Sequence, residues 1–97
     1  MARMRVKRKP TVANQRISFE FEENGFVFLV KNFTDSDILV WFDEECPNEE
    51  KILIRADEFE EIEVNRGLKK IKDGSRIVNV LPEATDSIGV EVQLIMW

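Results

Sequence analysis

The chain has 97 residues, with 14 Lys and Arg against 19 Asp and Glu, a net charge of −5, 43% hydrophobic residues and no histidine or tyrosine. That length holds one small domain, which buries roughly 60–65% of its unfolded surface and leaves little room for a deep enclosed active site. Histidine is the usual general base near neutral pH and the commonest metal ligand, and a single cysteine allows neither an intrachain disulfide nor a four-thiolate metal site.

The charge is unevenly spread. Arg3, Arg5, Lys7, Arg8, Lys9 and Arg16 fall among the first sixteen residues with no acid between them, so this head carries +6 and the other 81 residues carry −11. The chain therefore divides into an extended basic N-terminal arm, residues 1–16, and an acidic domain, residues 17–97. Arg3, Arg5, Lys7 and Lys9 alternate with Met4, Val6 and Arg8. An extended arm of this kind shows one cationic edge and one partly apolar edge. It suits strand addition to a neighbouring sheet, or contact with a nucleic-acid backbone. Pro10 separates arm from body. The segment to Arg16 is polar where a signal peptide is apolar, and no stretch reaches 18 apolar residues. A soluble protein made in the cytoplasm, with no membrane contact, is expected.

From Ile17 onward a two-residue alternation dominates. Ile17, Phe19 and Phe21 interleave with Ser18, Glu20 and Glu22 as a half-buried strand. Asn24-Gly25 predicts a two-residue hairpin returning through Phe26–Val30, with Phe21 opposite Phe28 and Phe19 opposite Val30. On the other face Val27 and Leu29 would lie across from Glu22 and Glu20 as a partly apolar contact surface. Residues 31–37 read as a turn, Ile38–Phe42 as a central strand containing Trp41, and residues 43–50 as an acidic loop around Cys46. Ile52–Ile54 is a short strand. Asp57 and Glu60 have capping-box spacing, but the segment is short for a helix and Ile62-Glu63-Val64 alternates, which favours a turn and then a strand. Leu68–Lys72 is a weak strand before a turn at Asp73-Gly74, Arg76–Leu81 is a strand stopped by Pro82, and residues 82–89 are a loop. Val90, Val92, Leu94 and Met96 then alternate to the end, with Ile95 and Trp97 on the other face. Seven to eight strands at roughly ten-residue intervals predict an all-β antiparallel sandwich, Ig-like or jelly-roll-like.

The four glycines stand singly, so no phosphate-binding loop is present, and the acidic loop lacks the spacing of a calcium-binding EF-hand. Its carboxylates also disfavour a reactive Cys46 thiolate. The expectation is a non-enzymatic protein with no cofactor and no metal site. Its partner-binding residues would be Arg3, Met4, Arg5, Val6, Lys7, Arg8 and Lys9 of the arm, Val27 and Leu29 of the body, and Trp97 as an apolar anchor. The acidic body repels polyanions, and no aromatics interleave with Arg or Lys as base-stacking platforms do. Protein is thus the expected partner. The alternative is a nucleic-acid-binding module with the arm as a cationic tail.

An apolar strand, an Asn-centred polar turn and a second apolar strand run from Phe28-Leu29-Val30 through Lys31-Asn32-Phe33-Thr34-Asp35-Ser36-Asp37 to Ile38-Leu39-Val40, and Gly89-Val90-Glu91-Val92 leads into a last strand. With the basic arm, this architecture resembles the small accessory proteins of tailed-phage particles: capsid decoration or cement proteins and head–tail adaptors. The resemblance implies a structural role in a virion, binding capsid or tail subunits and other copies of itself as a homo-oligomer or on a lattice. It carries over no functional residue.

Overall fold

A computed structural model describes residues 5–42, 51–64 and 74–96 of the chain. Eight strands follow one another: β1 (Val6–Thr11), β2 (Ile17–Gly25), β3 (Val27–Asn32), β4 (Ile38–Phe42), β5 (Ile52–Ile54), β6 (Phe59–Glu63), β7 (Ser75–Pro82) and β8 (Asp86–Met96). They form two antiparallel four-stranded sheets, in the orders β1-β8-β3-β6 and β2-β7-β4-β5. All-β architecture and the antiparallel sandwich follow the alternation in the sequence, but the eight described strands include one at Val6–Thr11 that the sequence reading placed in the arm. Residues 57–64 yield strand β6, and no described residue is helical.

Period-two alternation sends one face of each strand between the sheets. Phe28 and Val30 of β3 and Val90, Val92 and Leu94 of β8 meet Phe19 and Phe21 of β2, Val78 and Val80 of β7, and Ile38, Val40 and Phe42 of β4, all buried. The Phe28 ring lies 5.5 Å from Phe21 and 5.6 Å from Phe42, in tilted contacts across the sandwich.

The expected Asn24-Gly25 hairpin does not form. β2 and β3 belong to different sheets, so Phe21 meets Phe28 through the core rather than along a strand pair. The chain passes between the sheets at Gly25, which pairs with Ser75. A Cβ there would stand 2.1 Å from Leu94 Cδ1 and 2.6 Å from the Phe28 ring, so the glycine answers to close approach across the core rather than to a hairpin. Val27 and Leu29 consequently lie opposite Glu63 and Glu61, not Glu22 and Glu20.

A second correction concerns the arm. Over Val6–Thr11 the chain does not stand clear of the body but forms β1, paired antiparallel to β8 of the same sheet. The sequence boundary between residues 16 and 17 therefore separates two strands of one sandwich. Pro10 sits at the sheet edge, where its missing N–H costs no internal hydrogen bond. Residues 82–89, expected as a loop, already include the start of β8.

The polar turn after β3 is a buried hydrogen-bond hub. Asn32 Nδ2 donates to the carbonyls of Ser36 (2.8 Å) and Arg55 (3.0 Å), while its Oδ1 accepts from the Thr34 hydroxyl (2.7 Å) and N–H (3.0 Å). The Asn32 and Thr34 side chains thereby tie the β3–β4 turn to the end of β5. Trp41, expected in the core, is buried but faces outward from β4, with the Lys51 ammonium 4.0 Å over its ring.

Candidate functional site

The lysines of β1 point inward at an open margin of the sandwich, because Lys7 pairs with Val92 and Lys9 with Val90. Their stems cross to β2, the edge strand of the other sheet. Lys9 Nζ lies 5.4 Å from the Phe19 ring centre and donates to the Ser18 carbonyl at 2.5 Å. Lys7 Nζ lies 5.5 Å from the Phe21 ring centre and donates to the Glu20 carbonyl. Two charges thus cap an exposed sheet edge and shield the aromatic core behind it.

Arg8 alternates to the outer face of its sheet, one strand from Glu91. The pairing β1-β8-β3-β6 aligns Arg8, Glu91, Lys31 and Phe59 in one row across that face. Arg8 Nη2 donates to Glu91 Oε1 at 2.9 Å, Lys31 Nζ lies 3.6 Å from Glu91 Oε2, and Gln93 Nε2 donates to the same oxygen at 2.9 Å. Glu91 is only 8% exposed. Hydrogen bonds from Gln93 and Arg8, reinforced by the Lys31 charge, outweigh burial and hold its carboxyl below the ordinary value.

Apolar groups surround this ion-paired row. Leu29 is half-buried between Gln93 and Glu61, while Val6, Ile95 and Phe33 are exposed and Phe59 is 70% exposed. The Arg8 guanidinium stands 5.2 Å from the Phe33 ring centre. The arrangement offers a sheet face with apolar contacts around an internally ion-paired centre.

Of the residues singled out in the sequence, Val6, Arg8 and Leu29 come together on this face, while Lys7 and Lys9 serve the margin. Arg5 continues the pairing, its carbonyl accepting from the Leu94 N–H at 2.8 Å. Val27 alternates to the same face but is buried, and so presents no contact surface. Arg3, Met4 and Trp97 lie outside the described residues, as do the acidic loop 43–50 and the weak strand 68–72. Sequence reasoning missed Glu91, Lys31, Gln93 and Phe59. Their outward phase was readable, but their meeting with Arg8 depends on strand pairing across 83 residues. Among the described residues, no three acids or cysteines gather as a metal site, and no helix is long and apolar enough to cross a membrane.

No family model, curated protein or solved structure matches the chain.

Proposed function

We propose that the chain is a non-enzymatic structural protein that binds neighbouring proteins in a large assembly, as a capsid decoration, cement or other accessory protein of a phage virion. The observation that carries the reading is the outer face of the β1-β8-β3-β6 sheet. There, exposed apolar side chains surround the Arg8–Glu91–Lys31 row. We also read the sandwich as a jelly roll rather than Ig-like. In support, the pairs β1·β8, β2·β7, β3·β6 and β4·β5 nest inside one another, as in a long hairpin rolled into two sheets.

The nucleic-acid alternative is disfavoured by how the basic residues are used. Lys7 and Lys9 donate to β2 carbonyls, and Arg8 pairs with Glu91. A cationic tail needs such charges free to replace counterions along a phosphate backbone.

The test is co-sedimentation of the full chain with emptied virion shells from the same source. Wild-type protein is expected in the pellet. Ile95→Glu, which places a charge on the apolar rim, is expected to stay in the supernatant with an unchanged melting temperature. Wild-type protein left wholly in the supernatant overturns the reading.

A further inference from the structure

The two edges of the β1-β8-β3-β6 sheet carry opposite charge. β1 presents Val6-Lys7-Arg8-Lys9-Pro10 and β6 presents Phe59-Glu60-Glu61-Ile62-Glu63. We infer that the β1 edge of one copy pairs with the β6 edge of a second copy, joining subunits head to tail through a continuous sheet. The inference rests on the reading of the chain as an assembly protein, but it concerns the sheet edges and names the partner.

Backbone phase supports the pairing. The Leu94 N–H donates to the Arg5 carbonyl at 2.8 Å, so the odd residues of β1 turn their peptide groups toward β8. Val6, Arg8 and Pro10 turn theirs outward. On the other edge, the Asn32 N–H donates to the Glu58 carbonyl and the Val64 N–H to the Phe26 carbonyl, both at 2.9 Å. Even residues of β6 therefore face β3, and Phe59, Glu61 and Glu63 face outward. Strand directions alternate across the four-strand order, so a second copy in the same orientation brings β6 antiparallel to β1.

Full overlap of the two strands sets Val6 opposite Glu63, Arg8 opposite Glu61 and Pro10 opposite Phe59. These are the outward-facing residues on both sides, and roughly five main-chain hydrogen bonds can form between them. Between them Lys9 stands opposite Glu60 and Lys7 opposite Ile62 in backbone position only, since both ammoniums are held by β2 carbonyls. The Arg8–Glu61 pair adds little alone, and the outward phase of both edges limits the register. Symmetric alternatives fail on charge: β1 against β1 sets cations together, and β6 against β6 sets carboxylates together. The edges of the other sheet are poorer partners, because Lys7 and Lys9 occupy carbonyls of β2 and β5 spans only three residues. Head-to-tail pairing is heterologous, so it builds rings or filaments rather than twofold dimers.

Sedimentation velocity of the full chain tests this. Wild-type protein is expected to form concentration-dependent multimers at about 20 mM salt that dissociate near about 0.5 M. Glu61→Arg with Glu63→Arg is expected to weaken association on the order of tenfold or more, with an unchanged circular-dichroism melting curve. Arg8→Gln, on the opposite edge, should also weaken association. Ile95→Glu, off both edges, should leave it intact. A wild-type protein that stays monomeric at low salt, or a Glu61/Glu63 variant that assembles like wild type, overturns the inference. Salt-sensitive multimers that fail to bind virion shells would sustain it and remove the virion reading instead.

Discussion

Glu91 shows how one side chain can be both nearly buried and charged. Its carboxylate accepts from Arg8 and Gln93 and lies near Lys31, so desolvation is offset by two hydrogen bonds and two cations. Because its carboxyl is held below the ordinary value, the unfolded chain takes up this proton at a higher pH than the folded one. The stability that it contributes is full above the ordinary carboxylate pKa and is lost as pH falls through the lowered one. Glu91→Gln should therefore cost about 1 kcal/mol at neutral pH, since Arg8 is half-exposed and its pairing is screened. The deficit should shrink on acidification, and urea titrations of both proteins at neutral and acid pH measure it. A deficit that stayed constant with pH would mean that the charge contributes nothing.

At the scale of elements, the β1–β8 pair depends on a close backbone approach. Gly89 has φ +77°, and a Cβ there would sit 2.0 Å from the Lys9 carbonyl oxygen and 2.7 Å from Pro10 Cα. The pairing register shifts at this place, between Lys9 and Thr11. Gly89→Ala should cost about 2–4 kcal/mol in urea unfolding and open this pair first, seen as faster hydrogen exchange at the Lys7 and Lys9 amides. Strand existence was readable from alternation, because apolar and polar residues take turns along Ile17–Glu22 and Val90–Leu94 whatever their neighbours. Strand partnership was not. Asn24-Gly25 carries a local turn signal, yet the core side chains of Leu94 and Phe28 fill the space around Gly25 and the chain crosses between sheets. The same limit hid the candidate face: Arg8 stood out by its charge, but Glu91 became its ion-pair partner only through non-local pairing.

On the scale of the whole molecule, the basic leading segment is an edge strand of the sandwich. Its lysine stems cover Phe19 and Phe21, and its backbone completes β8. Deleting residues 1–11 should lower the melting temperature by at least about 10 °C, rather than leave a stable body that has only lost its contacts. Differential scanning calorimetry of the truncated chain measures this, and an unchanged melting temperature would show that β1 adds nothing to the fold. The nested pairing also has a consequence for biosynthesis. Among the described strands, the first made pairs with the eighth, and the second pairs with the seventh. Neither sheet can close along β1 or β2 until translation has passed β8 and β7. In that interval the nascent segment must wait unpaired, and its like charges and proline keep it from sticking to its own kind on neighbouring ribosomes.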